Sequence, residues 1–314
     1  MSRPHTGLNG FLLIDKPAGP TSHDLIQQLR KILSIRRIGH SGTLDPAASG
    51  LMIIAVGQAT RLLEYLNGLP KEYFCRGRLG FVSTTDDAQG EIEPAGMGAV
   101  PSEPELLMAL DPFRGTIRQR PPVYSALKID GRRAYEKARG GEEFEIDERE
   151  VTVHELHCGK FCYPDFELTM RVSTGTYVRS IVRDLGAALN SGAYCLEIRR
   201  TAIGRYNVEQ AFDGNNLQEH AAELRQSIFQ AADFLDHLPS VSLEGDQVNH
   251  ILHGNPARLN KSQFKRELEP LIGGPLLLLS VAKKLIAVGR LKPDALDSVE
   301  FNLHPEKVFP PEEN

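Results

Sequence analysis

Hydrophobic and polar positions along this chain change period several times, and each change marks an element. GFLLIDK (10–16) is apolar almost throughout and predicts a short strand; the PAGPTS that follows has turn chemistry. Leu25, Leu29 and Ile32 then recur at helical spacing behind Thr21 or Ser22 as cap. A glycine-rich loop from Gly39 to Gly50 runs into LMIIAVG, a continuous apolar run that fits a buried strand. ATRLLEYL (59–66) reads as a short amphipathic helix, KEYFCRGRLGF (71–81) as an alternating strand, and PELLMALDPF as a helix beyond a Pro/Gly/Ser-rich linker at 94–104.

The segment 115–150 is long, basic and weakly periodic, with a helix predicted near Ala134–Arg139, and reads as an insertion. VTVHELH (151–157) and FELTMRV (166–172) resemble paired strands. TGTYVRSIVRDLGAALNSG switches to helical period, with Thr174 or Thr176 as cap and Ile181, Leu185 and Leu189 on one face. CLEIRRTAIGRY predicts a returning strand and LRQSIFQAADFL another helix. After Leu238-Pro239 the chain becomes turn-rich, and PLLLLSVAKKLIAVGRL reads as a hairpin around Ala282–Lys284. Strands and helices interleave without a regular βαβ period, which predicts an α+β fold with a boundary near 240: a large domain over 1–240 and a small β-rich one over 241–314.

The 314 residues suit that division. With 41% hydrophobic and 25% charged residues, the composition excludes wholesale disorder and a collagen-like chain. Four cysteines in so long a chain make no disulfide framework, and Cys158 and Cys162, spaced CxxxC, have no second pair to complete a zinc site, so reduced thiols and no metal are expected. There is no GxxxxGK[ST], no GxGxxG opening a helix and no GxSxG. The start lacks the apolar run of a secretory signal, and the apolar stretch 276–288 is broken by Lys283 and Lys284, so a soluble, cytoplasmic protein is expected. No long amphipathic stripe is left without a core to cover, which points to a monomer.

The net charge of −5 argues against a chain that coats nucleic acid, but it hides an asymmetry. Phe113 to Arg139 holds eight basic residues against two acidic ones, and the next eleven positions hold six acids and one arginine. Arg30, Lys31, Arg36 and Arg37 form a second basic cluster. Such patches suit a polyanion gripped in one place; as charge alone they equally suit solvated helix faces.

The densest candidate for chemistry is GHSGTLDPAASG (39–50). Its glycines permit tight turns and close approach of another molecule, and Pro46 restricts Asp45 to extended backbone. The loop can therefore present one carboxylate rigidly beside a buried strand; an Asx-type turn would have the same sequence.

The run GHSGTLDPAASGLMIIAVGQATRLLEYL closely resembles the catalytic motif of the TruB family of tRNA pseudouridine synthases. DKPAGPTSHDL (15–25), KEYFCRGRLGFVSTTDDAQGE (71–91), PPVYSALKIDGRRAYEKAR (121–139), GTYVRSIVRDLG (175–186) and IRRTAIGRYNVEQA (198–211) resemble further motifs of that family, in its order. From 240 onward the resemblance is weaker, to the PUA-like β domain of bacterial members. It implies a pseudouridine synthase catalytic domain, a mixed, mostly antiparallel sheet with flanking helices, carrying an RNA-gripping, thumb-like insertion at about 113–150. The implied reaction converts uridine 55 of the TΨC arm of tRNA to pseudouridine without cofactor or guide RNA.

By match to the motifs, Asp45 is the essential carboxylate, either nucleophile at C1′ or base for elimination to a glycal. Tyr73 is the active-site tyrosine, and Arg179 the arginine that pairs with the carboxylate. A guanidinium there orients the carboxylate and favours its charge. Ile198 packs on the flipped uracil, and His40 fills the gap that flipping leaves. Tyr177 and Lys16 are implied as substrate contacts, although a rigid strand end explains Lys16 equally well. Lys128, Arg132 and Arg133, interleaved with Tyr124 and Tyr135, suit phosphate contact and stacking in an RNA loop. Ser49 stands where Thr is frequent and Ile198 where Leu is frequent, both within the size class. The competing readings are a non-catalytic tRNA-binding or folding protein on the same fold, a carboxylate glycosylase, for which no second acid is evident near Asp45, and an RNA-guided relative.

Overall fold

The structure is a computed structural model that describes residues 7–96, 100–125, 127–129, 131–134, 137, 140, 142, 144–260, 273–292 and 300–310. In chain order the first strands are β1 (Gly10–Lys16), β2 (Ile38–Ser41), β3 (Ser49–Val56) and β4 (Lys71–Leu79). A side ribbon of β5 (Phe81–Ser83) and β6 (Ile92–Pro94) precedes β7 (Gly115–Gln119). A second ribbon, β8 (Lys128–Ile129) with β9 (Arg132–Arg133), lies in the basic insertion. Then follow β10 (Arg149–Cys162), β11 (Asp165–Val172), β12 (Ala193–Ile203), β13 (Tyr206–Asn207) and β14 (Phe212–Asp213).

Ten of these strands form one mixed sheet in the order β14-β1-β3-β12-β4-β11-β10-β7, with β2 on β3 and β13 on β12. The β1–β14 and β3–β12 pairs are parallel and the rest antiparallel. The apolar runs of β1 and β3 are uninterrupted because both faces of the sheet are covered there. Leu12, Ile14, Met52, Ile54 and Val56 join one buried cluster with the helices Ser22–Leu33 and Val178–Ala188. Phe11, Leu13, Leu51, Ile53 and Ala55 join a second, on the opposite face. Each fully buried side chain of this size contributes roughly 1.5–3 kcal/mol.

The helix Ser22–Leu33 starts as its sequence predicts. Thr21 Oγ1 accepts from the Asp24 N–H at 3.0 Å, and the Asp24 carboxylate answers the Thr21 N–H at 2.9 Å. The helix Val178–Ala188 does not. Its cap is Tyr177, not Thr174 or Thr176, and no side chain of its own segment caps it. Thr176 Oγ1 donates to the Ser173 carbonyl at 3.0 Å and Thr174 Oγ1 to that of Asn67, so both side chains are turned toward the preceding chain and not toward the first N–H groups of the helix.

The segment 57–66 is a 3₁₀ helix (Gly57–Leu66) that buries Ala59, Leu62 and Leu66. The single helix expected from LRQSIFQAADFL is two short ones, Ala221–Gln226 and Ala231–Phe234. Phe229 leaves the helical path to exchange backbone hydrogen bonds with Phe11, at 3.0 and 2.9 Å. This approach requires Gly10, where a Cβ would stand 2.1 Å from the Phe229 carbonyl oxygen. Of the helix expected at 134–139, Ala134 and Lys137 are helical; the remainder, including Tyr135, lies outside the described residues.

The C-terminal strands are β15 (Ser240–Ser242), β16 (Ala257–Asn260), β17 (Leu276–Leu279), β18 (Leu285–Leu291) and β19 (Glu300–Val308). They form a second sheet ordered β15-β17-β18-β19-β16, with the predicted hairpin as β17–β18. This sheet does not stand apart. Leu277 and Val288 belong to the same cluster as Phe11, Leu13 and Leu51. Arg61 Nη1 donates to the Val308 carbonyl at 2.7 Å, and Lys307 Nζ to that of Arg61 at 2.7 Å.

Candidate active site

The turn between β2 and β3 is fixed from several sides. Ser22 Oγ takes both polar groups of Leu44, donating to its carbonyl at 2.9 Å and accepting from its N–H at 3.0 Å. The Pro46 carbonyl accepts from the Gly19 N–H at 2.8 Å and from Lys16 Nζ at 3.4 Å. Arg200 is buried beneath the turn and donates to the carbonyls of Leu51 at 2.7 Å and Gly42 at 3.1 Å. Gly50 must be glycine: its φ is +110°, and a Cβ would lie 2.2 Å from the Arg200 carbonyl oxygen. Between these anchors the Asp45 side chain remains 37% exposed and faces a cleft of about 300 Å³.

Arg179 meets that carboxylate from the first turn of the helix Val178–Ala188. Its side chain is 3% exposed, with Nη2 2.8 Å from Asp45 Oδ2 and Nη1 3.3 Å from Asp87 Oδ2. Nη1 also donates to the Thr85 carbonyl at 2.7 Å and Nη2 to that of Tyr124 at 2.9 Å. One buried guanidinium thus joins the Asp45 turn, the 83–87 turn and the root of the basic insertion. Two carboxylates and two carbonyls around its Nη atoms fix the direction of this buried cation and offset part of its desolvation, while its Nε is buried without a partner.

Tyr73 on β4, Ile198 on β12 and Tyr177 complete the walls, so Asp45, Arg179, Tyr73, Ile198 and Tyr177 line one cleft. The Arg149 guanidinium lies 4.7 Å from the centre of the Tyr177 ring. Lys71 also lines the cleft, with its ammonium donating to Thr174 Oγ1 at 2.6 Å and to the Leu69 and Asn67 carbonyls at 2.8 and 3.1 Å. Burial pushes it down to about 8, and Arg200 adds to the shift.

The other residues expected at the site lie elsewhere. Lys16 is fully buried behind the Asp45 turn, with Nζ 2.8 Å from the Pro17 and Pro20 carbonyls. Burial lowers it to about 8 against the pull of Asp45. It holds the turn from below and is outside the cleft lining. His40 sits on β2 opposite Ile54, half-buried and outside the cleft lining. Burial, with Arg200 nearby, lowers the pKa of its imidazole. Lys128, Arg132 and Arg133 lie on the β8–β9 ribbon, and Arg132 Nη1 is 2.7 Å from Glu142 Oε1.

Sequence reading missed Asp87, Lys71, Arg149, Gln119 and the anchoring role of Arg200. Asp87 answers the search for a second acid, but its side chain is 8% exposed, outside the cleft lining, and bound by Thr85 Oγ1 at 2.6 Å and the Gln89 N–H at 3.0 Å. It braces Arg179 from behind, so the two-acid geometry of a glycosidase is not formed at the cleft. Among the described residues no cluster of His, Cys, Asp or Glu is arranged to hold a metal ion, and no helix is long and apolar enough to cross a membrane.

The profile of the TruB family pseudouridylate synthase N-terminal domain matches residues 30–178. The tRNA pseudouridine synthase B of Synechococcus sp. (strain WH7803) is 44% identical over 236 residues, covering 73% of this chain and 78% of its own. That of Moorella thermoacetica is 38% identical over 310 residues, covering 96% and 99%. Among solved structures, the Cbf5-Nop10-Gar1 complex contains a chain that superposes with a TM-score of 0.74 at 26% identity, over 98% of this chain and 88% of that one. This match extends across both sheets, so the fold is that of the pseudouridine synthases with a C-terminal sheet of the PUA-like kind. A carboxylate held at a cleft by a buried arginine, on this sheet and with relatives this similar over most of their length, has one consistent placement: the chain belongs to the TruB family of pseudouridylate synthases.

Proposed function

We propose that the protein is a stand-alone tRNA pseudouridine synthase that isomerises uridine 55 in the TΨC arm. The observation that carries this reading is the 2.8 Å contact of buried Arg179 with Asp45 at the mouth of a cleft walled by Tyr73 and Ile198. The target uridine is stacked inside a folded arm, so it must be flipped out to reach a cleft of about 300 Å³. In the reaction the N1–C1′ bond breaks, the uracil turns, a C5–C1′ bond forms, C5 loses its proton and N1 gains one. Atoms and charge balance without redox change.

Asp45 is the essential carboxylate, acting at C1′ or as the base that begins elimination to a glycal. Arg179 holds it on the line of attack. Tyr73 stacks on the base and offers a hydroxyl for proton transfer, and Ile198 excludes water from the detached uracil. The basic stretch with Lys128, Arg132 and Arg133 grips tRNA phosphates. His40 fills the space vacated by the flipped base. The catalytic domain spans 1–240 with its thumb at 113–150, and 241–314 forms the PUA-like domain.

The test uses unmodified tRNA transcript whose uridines carry tritium at C5. Release of one tritium per tRNA by the protein supports the reading. No release from folded protein that still binds tRNA overturns it in favour of a binding or folding function.

A further inference from the structure

Gln119 is the last residue of β7, at the point where the chain leaves the sheet for the basic insertion. Its side chain is buried, with the residue 1% exposed, which is costly for an amide unless both ends are satisfied. Both ends go to one residue. Nε2 donates to the Tyr177 carbonyl at 2.9 Å, and Oε1 accepts from the Tyr177 N–H at 2.7 Å. The amide pairs with the Tyr177 backbone as a neighbouring strand residue would.

Tyr177 is the N-cap of the helix Val178–Ala188, and that helix has no side-chain cap of its own. The Tyr177 cap position is therefore held from outside, by Gln119. Two groups of the cleft depend on that position. The Tyr177 ring forms a wall beneath Arg149, and Arg179, two residues on, reaches Asp45. Gln119 itself does not line the cleft. A different contact ties the same helix to the same segment: Ser180 Oγ donates to the Arg120 carbonyl at 2.8 Å. This second tie lies in the same first turn but bonds neither the Tyr177 backbone nor the Arg179 side chain.

We propose that Gln119 is a positioning residue for the isomerisation: its side-chain amide clamps the Tyr177 backbone and thereby aims Arg179 at Asp45. The proposal rests on the reading of the protein as a tRNA pseudouridine synthase. Its signature is a split between binding and rate. Gln119 touches neither substrate nor carboxylate, so tRNA affinity should hold while the chemical step slows.

The experiment measures single-turnover pseudouridine formation at saturating tRNA, with tRNA affinity measured in parallel. It compares wild type, Gln119→Met, Gln119→Glu and Ser180→Ala, all well below their unfolding temperatures. Gln119→Met keeps the length and removes both hydrogen bonds; Gln119→Glu keeps the acceptor for the Tyr177 N–H and loses the donor only once its carboxyl is ionised, so its rate is followed up the pH scale until it stops changing. The expected result for Gln119→Met is affinity within about threefold of wild type and a rate lower by roughly 10- to 100-fold, the range for a catalytic group displaced by an ångström. Gln119→Glu should fall between it and wild type, and it carries the test alone if Gln119→Met does not fold. Ser180→Ala, which weakens the same helix contact without touching the cap, should keep its rate within about twofold. A Gln119→Met or Gln119→Glu rate equal to wild type, or a loss matched by Ser180→Ala, overturns the proposal. Absence of pseudouridine from wild type would instead overturn the functional reading on which it rests.

Discussion

Arg179 Nη2 lies 2.8 Å from Asp45 Oδ2, and the arginine is buried while the aspartate faces the cleft. The charge that solvent reaches is thus backed by one that solvent does not. In such a pair the buried partner keeps its position when the exposed one reacts, because its other contacts, to Asp87, Thr85 and Tyr124, are made to fixed groups.

Asp45→Asn keeps the shape of the turn and removes the charge. Turnover in the tritium assay should be abolished, with tRNA affinity within roughly tenfold of wild type. Normal turnover by this variant would mean that another group performs the chemistry.

Arg179→Met should cost both activity and stability. It leaves Asp87 with its Thr85 and Gln89 contacts but without its cation. Breaking a buried ion pair from one side typically costs about 3–5 kcal/mol, and the surviving hydrogen bonds should hold the loss near the lower figure. Urea unfolding measures it. A loss below about 1 kcal/mol, the scale of an exposed pair, would show that the pair is not desolvated.

Arg132→Gln with Arg133→Gln should weaken tRNA binding and flatten its dependence on salt. Each lost phosphate contact lowers the slope of log K against log salt by about 0.7–0.9. An unchanged slope would remove the insertion from the RNA interface.

The Lys71 ammonium is lowered from 10.5 to about 8 by burial, whereas in the unfolded chain it titrates near its ordinary value. Between those values the unfolded state binds more protons, so stability contributed at this site rises with pH. The cost of burying the charge is present in full below pH 8 and is relieved as pH approaches 10.5. Wild type should therefore gain stability relative to Lys71→Met between pH 8 and pH 10 in urea titrations. A constant difference would mean that Lys71 is not desolvated.

Deleting 239–314 should not yield an intact catalytic half. The cut uncovers the face of the large sheet on which Leu277 and Val288 pack against Phe11, Leu13 and Leu51. An exposed apolar face of this kind promotes aggregation. Thermal unfolding of the shortened chain should begin well below that of the full chain, and an unchanged transition would show that the two sheets are independent.

Much of the fold was legible in local pattern. The apolar runs of β1 and β3, the capping box at Thr21 and the β17–β18 hairpin follow from a few neighbouring residues, because propensity, capping and turn chemistry act at short range. The errors have a common origin. Thr174 and Thr176 look like caps, yet their hydroxyls turn to the carbonyls of Asn67 and Ser173, and the residue at the cap, Tyr177, bonds the side chain of Gln119, 58 residues earlier. LRQSIFQAADFL has a helical pattern, yet pairing with Phe11 pulls Phe229 out of it. A long-range hydrogen bond overrides a local preference worth a fraction of a kilocalorie per residue.

The sequence by itself determined the motifs, the α+β alternation and the residues that resemble a catalytic set, because these reside in spacing and in residue type. It placed Asp45 on a glycine-rich turn, since glycine admits the backbone angles a tight turn needs and Pro46 confines the residue before it to extended backbone. Only the tertiary structure decided which charges meet. Asp45, Asp87 and Arg179 come from three separate segments, and burial of the guanidinium makes their contact strong. It also set the Lys16 ammonium among the carbonyls of Pro17, Pro20 and Pro46 beneath the turn. Whether a lysine faces a cleft or a ring of carbonyls depends on how distant strands close over it, and no local spacing encodes that.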